Sequence, residues 1–538
     1  LPHLREISER GARARLRNID AYRSELVWVQ FLTGKSALDH RWWGQIDFDP
    51  RTYAAYGRGT LDATPFYALG PGIPVVAFDL IHSVIADDVA GDQITAWGAH
   101  SPQYPRASRP AGLLTEIDRR FGTNPAFGND FDIGWYEPDY IDNLAEACAL
   151  GAHRRIEIAG WLQERVPDWR LFLTCMSEVH SVGHHYWHGV DDTHPLHGVA
   201  PTSELSAARF VEVCQAVDDG LGRFVASLPP DATLVVFALH GMKPSDDIPA
   251  TLLLPELAHR LHFARPLLRD PHQGAWAAAG YPPVIPGRHQ NWQGLMKDRF
   301  RDGRRDLLRH SLRRAPAPVY QLARRLAGRS QATTVGPLWF STPPEADISG
   351  ISGPGTGPVR ENLDFQVSSW YRRHWPEMPW FVVPTFADAH VRLNVRGREG
   401  RGIVEPADYR KVRDEVVATI RQCRDPRTER PAVADVLFPR DDDPLAPDGP
   451  DADLLIVWSE ALDALEHPAV GIVGPYPHMR TGSHSSNGFV FVVGPGVPAG
   501  ADLGQRSAFD LTPTILTLAG LPVPEGMRGE PMLAPSPV

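Results

Sequence analysis

Five short, nearly unbroken apolar runs constrain this chain most strongly. They are IPVVAFDL (73–80), RLFLTCMSE (170–178), ATLVVFAL (232–239), ADLLIVWS (452–459) and GFVFVVGPG (488–496). None alternates apolar with polar, so each reads as a strand buried on both faces. Helical patterns such as 204–227 lie between them. Strands of this kind spaced by helices predict an α/β fold, with a largely parallel central sheet and helices on both faces. In such sheets the chemistry gathers outside the carboxyl ends of the strands.

At 538 residues the chain is long for one core; length alone suggests roughly two to four domain-sized units. The stretch 245–375 departs from the alternating pattern and is rich in Pro, Arg and Trp. It is read as an inserted cap, leaving 1–244 and 376–538 as the core. Within the cap, the arginines of 298–329 interleave with Asp298, Asp302 and Asp306. That is the pattern of a solvated helix face more than of an anion receptor.

A hydrophobic content of 43% and a charged content of 22% are those of an ordinary globular protein. The formal charge of −11 argues against binding to nucleic acid duplexes through a basic face. No apolar run is long enough for a membrane span. Cys148, Cys175, Cys214 and Cys423 are scattered without a CxxC pair, which disfavours a disulfide framework or a thiolate zinc site. A cytoplasmic setting is expected, with the natural N-terminus free to lie upstream of Leu1.

Histidines collect where the strands end. SEVHSVGHHYWH (177–188) follows the strand 170–176 and holds Glu178, His180, His184, His185 and His188. His180 and His184 are four apart, so on a helix they share a face and can bind one metal. His185 and His188 read more simply as core or surface residues. In ALHG (238–241), His240 stands at the mouth of an apolar strand beside Leu239. In RTGSHSSNG (480–488), His484 lies in a Gly/Ser turn before another strand, either structural or a third ligand. Ser24 precedes the apolar helical run Leu26 to Leu32. It is either an N-cap or a nucleophile at a helix N-terminus. Trp28, Trp42, Trp43 and Trp187 either pack the core or stack a substrate ring.

Taken in order, these motifs resemble the alkaline phosphatase superfamily, in its type I phosphodiesterase/nucleotide pyrophosphatase branch. Ser24 stands nine residues before Thr33-Gly34, HSVGH (180–184) matches Asp-x-x-Gly-His, ALHG matches Ser-Asp-His-Gly, and GSH (482–484) matches Gly-x-His. NVRGREGRGIV (394–404) and the ending DLTPTILTLAGLPVPEGMRG (510–529) are also similar to this group. The likeness spans 1–244 and about 376–538. The sulfatase branch is disfavoured, because Ser24-Glu25-Leu26 does not fit its Cys/Ser-x-Pro-x-Arg motif.

The resemblance implies two divalent metals, usually zinc, and a Ser nucleophile acting on a small phosphate ester or nucleotide-like substrate. The first metal would be held by position 180, His184 and His484. The second would be held by Ser24, position 239, His240 and an Asp of a first strand. The sequence departs from this pattern at His180, with Glu178 close by as an alternative ligand, at Leu239, and in lacking that strand ahead of Leu1. The expected activity is metal-dependent hydrolysis of phosphodiester or pyrophosphate bonds. Two rivals are a one-metal site catalysing a different transfer or elimination on a specialised metabolite, and an inactive binding protein.

Overall fold

The computed structural model describes all residues except 20–25, 45, 58–62, 99–105, 127–132, 302–318, 320–362, 364–365, 386–387, 441, 447–448 and 535–538. The first half runs α1 (Pro2–Arg10), β1 (Ala12–Arg17), α2 (Leu26–Thr33), α3 (Ala37–His40), β2 (Ile46–Asp49), β3 (Ala54–Gly57), β4 (Gly70–Phe78), β5 (Val89–Thr95), β6 (Ala107–Arg109), α4 (Leu113–Phe121), α5 (Pro138–Arg165), β7 (Leu171–Thr174), α6 (Glu178–Val190), α7 (Ser203–Ala226), β8 (Leu234–Ala238) and β9 (Gly241–Pro244). The rest runs α8 (Leu254–Phe263), α9 (Gln273–Ala278), α10 (Trp292–Arg299), β10 (Trp380–Val383), β11 (Ala389–Leu393), α11 (Tyr409–Ile420), β12 (Val433–Leu437), β13 (Leu454–Trp458), β14 (Leu465–His467), β15 (Gly471–Val473), β16 (Gly482–Ser485), β17 (Asn487–Val493), β18 (Asp502–Ser507) and α12 (Leu511–Leu518).

The fold is α/β, as the apolar runs predict, but parallel pairing is only part of it. One four-stranded sheet has the order β6-β5-β4-β7, and β4 runs parallel to both β5 and β7. A second has the order β18-β1-β17-β8; there β1 is parallel to β18, whereas β17 runs against both β1 and β8. A third, β10-β11-β13-β12, is antiparallel throughout. An apolar run reports that a strand is covered on both faces. It does not report which way its neighbour runs, and β17 breaks the expected series.

Helices α5, α6 and α7 pack together beside the first sheet. The close fit of α6 on α7 needs Gly189, where a Cβ would lie 2.4 Å from the Ser203 carbonyl oxygen. One apolar core is built from β1, β4, β7, β17, α2 and α12, and includes Leu239. Another unites Phe48 and Tyr53 with residues of 248–296 and of 367–476. Residues on both sides of position 376 therefore share a single core. Of the segment 298–329, residues 302–318 and 320–329 lie outside the described residues. None of the four cysteines is in a disulfide, and no described helix is long and apolar enough to cross a membrane.

Candidate active site

A buried ion network ties the end of β4 to the segment that follows β7. Arg155, in the middle of α5, is fully buried and donates from NH1 to Asp79 Oδ2 (2.8 Å) and from Nε to Glu178 Oε1 (3.1 Å). Asp79 follows β4 with a left-handed φ of 59°, and accepts from the backbone N–H groups of Trp97 (2.7 Å) and Gly98 (2.9 Å). Glu178 opens α6 just after β7, so the network ties the end of β4 to the start of that helix. Burial pushes the Glu178 carboxyl above its usual range, while the Arg155 charge pulls it down. The structure thus sets Glu178, the alternative metal ligand, against an arginine rather than among the histidines.

From this anchor the helix turns His180 and His184 toward one centre. His184 Nε2 lies 3.0 Å from His180 Nε2, and His484 Nε2 lies 3.4 Å from the same atom. His240 stacks on His484 with ring centroids 3.9 Å apart and planes inclined by 27°. His180, His240 and His484 each offer a ring nitrogen within 4.8 Å of the others. His484 is carried by β16, which pairs with β9 so that His484 faces Met242 and Ser485 faces Gly241. That places His240, one residue before β9, beside it. The strand can lie this close to α6 because residue 482 is glycine: a Cβ there would be 2.1 Å from the Gly183 carbonyl oxygen.

The same approach decides a tautomer. His184 Nδ1 is 2.8 Å from the Gly482 carbonyl oxygen. A carbonyl only accepts, so Nδ1 carries the hydrogen, and in the neutral form of the ring the Nε2 lone pair faces His180. A ligating imidazole is held in just this way, through its other nitrogen. Two zinc-bound nitrogens at about 2.0–2.1 Å and tetrahedral angles would stand roughly 3.3 Å apart. The observed 3.0 and 3.4 Å bracket that separation. Both separations run through His180, and the three histidines whose ring nitrogens all lie within 4.8 Å of one another are His180, His240 and His484; that set fits a zinc-like cation.

The other two histidines of α6 meet different partners. Buried His188 contacts the Thr481 and Thr202 hydroxyls at 3.2 and 3.0 Å, and His185 Nε2 meets the Tyr140 hydroxyl at 3.3 Å. Both behave as core histidines. Leu239 is 3% exposed and packs among apolar residues, while its carbonyl accepts from Asn18 Nδ2 at 3.1 Å. Trp42 is buried, Trp28 and Trp43 pack against apolar clusters, and Trp187 Nε1 donates to Asp191 Oδ2. Ser24 lies outside the described residues, between Asn18, which donates its N–H to the Ser486 carbonyl, and α2. Sequence reasoning missed Asp79 and Arg155. The one signal for them was an acid closing the apolar run IPVVAFDL.

Residues 1–260 match the family model of type I phosphodiesterase / nucleotide pyrophosphatase. Over these residues, just under half of its length, the chain is similar to that family. The match takes in α6, β8 and β9, and so His180, His184 and His240; His484 lies beyond it. No curated protein matches. Solved structures similar to this chain include phosphonoacetate hydrolase from Sinorhizobium meliloti 1021, at 15% identity, TM-score 0.38, with 96% of this chain and 90% of that one covered. Murine ectonucleotide pyrophosphatase/phosphodiesterase 5 is similar at 12% identity, TM-score 0.41, with 97% and 91% covered. A mutant of the alkaline phosphatase PafA is similar at 11% identity, TM-score 0.43, with 98% and 93% covered. The protein is an enzyme of the phosphodiesterase/pyrophosphatase type, a phosphoryl hydrolase.

Proposed function

We propose that this enzyme cleaves phosphodiester or pyrophosphate bonds of a small, nucleotide-like ester at the histidine cluster, with Ser24 as nucleophile. The observation that carries the reading is the convergence of His180, His240 and His484, with His184 Nε2 3.0 Å from His180 Nε2. His180, His184 and His484 would hold a zinc ion. Bound there, it would supply positive charge opposite the phosphoryl oxygens and lower the pKa of a neighbouring hydroxyl. The chain's own part begins with Ser24 Oγ attacking phosphorus in line as the bond to the leaving alcohol breaks. Water then hydrolyses the phosphoserine ester and restores the hydroxyl. Asn18, six residues before Ser24 in the sequence, donates to the carbonyls of Ser486 and Leu239, the neighbours of Ser485 and His240.

His240 stands with the other three imidazoles, and Leu239 offers no ligand atom. A single tight zinc is therefore the reading, with any second ion bound at least tenfold more weakly, about 1.4 kcal/mol. The test is turnover of bis(p-nitrophenyl) phosphate alongside a metal titration. Ser24→Ala should abolish turnover while keeping metal content and fold. A Ser24→Ala enzyme at near wild-type rate would remove Ser24 from the mechanism. Two equally tight sites in the titration would remove the one-zinc reading.

A further inference from the structure

Two short strands bring histidines to the cluster, His240 just ahead of β9 and His484 within β16. Among the described residues these strands pair only with each other. Their ladder has four residue pairs, from Gly241 with Ser485 to Pro244 with Gly482. A two-stranded ladder is at best marginally stable by itself. The end away from His240 is the weaker one, because Pro244 has no N–H to give and Gly482 has no side chain to pack. Something beyond the ladder has to hold that end.

A buried ion pair closes it. Arg480 donates from Nε (3.0 Å) and Nη2 (2.8 Å) to Asp247 Oδ2. Between this pair and the ladder, Ser245 donates its N–H to the Thr481 carbonyl, and Thr481 donates its own to the His184 carbonyl, each at 2.9 Å. Residues 480–482 therefore bond to every element that carries a histidine of the cluster. Ser245 and Asp247 continue β9, His184 belongs to α6, and Gly482 opens β16. Asp247 also leads into Ile248, Ala250 and Leu252, which are buried in the core of the sheet β10-β11-β13-β12. The ladder is thus fastened to a body that carries none of the four histidines.

We infer that the Arg480–Asp247 pair is a positioning device for the histidine cluster. It fixes β9 and β16 against α6, and so sets the spacing of His180, His240 and His484. The inference rests on the proposed metal reading of that cluster. Imidazoles on a loose ladder would meet a cation at varying separations, whereas a fastened ladder presents them at one.

Asp247→Asn keeps the side-chain shape and removes the charge. The Arg480 side chain is 16% exposed against 1% for Asp247, so this variant leaves its arginine in reach of water. In the metal-free full chain, hydrogen exchange at 241–245 and 481–485 should quicken at least tenfold in the variant, with β8 and β17 unchanged. Zinc affinity, measured by titration, should fall at least tenfold. Arg480→Lys should stay within threefold of wild type in both measurements, because the two arginine nitrogens meet a single oxygen and match no fork. Unchanged exchange at 241–245 and 481–485 overturns the inference, as does equal quickening in β8 and β17, which marks general destabilisation. Local quickening with zinc affinity within threefold of wild type also overturns it and leaves the pair a structural contact. A wild-type chain that takes up no zinc refutes the proposed function and the positioning role with it, and exchange then still shows whether the pair closes the ladder.

Discussion

Helix α6 carries two pairs of histidines that face different neighbours, and those surroundings differ in one respect. His180 and His184 meet other imidazole nitrogens, at 3.0 and 3.4 Å, whereas His185 and His188 meet hydroxyls of Tyr140, Thr481 and Thr202. A hydroxyl donates or accepts as required, so a histidine beside it is satisfied and buried at little cost. Nitrogens that face each other do not have this freedom. With His184 Nε2 fixed as an acceptor, the cluster calls for a proton or a cation at its centre. One stretch of sequence thus makes a core contact and a candidate metal site, and the distinction lies in what the other elements bring to each pair.

The way to break both pairs together is to loosen the helix at its start. Arg155→Met leaves Asp79 and Glu178 as buried carboxylates without their cation. Breaking such a pair costs about 3–5 kcal/mol. Urea unfolding should show that loss, and zinc affinity should fall with it as His180 and His184 lose their aim. A loss below about 1 kcal/mol would mean that the network does not hold α6.

The pairs are separated by two single substitutions. His184→Ala should lower turnover at least about 100-fold, roughly 2.7 kcal/mol in the barrier, and release zinc. His188→Ala should instead cost about 1–3 kcal/mol of stability, because it empties a buried ring site and takes one partner from the hydroxyls of Thr202 and Thr481, which keep the carbonyls of Trp135 and His184. Its zinc content and rate should stay within about threefold of wild type. If the two variants exchange these phenotypes, the contrast between the pairs is wrong.

Much of the site was legible in the sequence, because its parts are local. The spacing of four between His180 and His184 is a helical property, and His240 and His484 lie in turns at strand ends, where open α/β sheets place their chemistry. Gly482 was readable as part of GSH, though its reason, the close approach of β16 to α6, was not. Glu178 misled because its partner, Arg155, comes from another helix 23 residues earlier. The split between the sheets was equally hidden: apolar runs disclose burial but not which strands pair. The grouping of 248–296 with 367–476 in one core depends on contacts across long separations, which composition shifts near 376 do not encode.

A third histidine environment gives the smallest effect near neutral pH and the clearest sign. His194 and His478 are 3% and 0% exposed, with ring centroids 5.4 Å apart. Neither ring nitrogen of His478, nor Nε2 of His194, has a hydrogen-bond partner among the described residues. Burial, reinforced for His194 by His478 and for His478 by Arg427, lowers both pKa values to about 3. In the unfolded chain each would titrate near 6.5, so below that pH the unfolded state binds protons that the folded state refuses. The stability is fully present above about pH 6.5 and is lost as pH falls toward 3. Each group should cost about 0.7 kcal/mol between pH 7 and 6, steepening to about 1.4 kcal/mol per pH unit below 5.5. His478→Phe keeps the ring shape and removes two unsatisfied nitrogens. It should leave stability at pH 7.5 equal or higher, and reduce the acid slope by about 1.4 kcal/mol per pH unit. Unfolding midpoints measured from pH 7.5 to 4.5 decide the matter. An unchanged slope in that variant would show that His478 takes up its proton in the folded protein, and that its ring is not sealed from water as the structure places it.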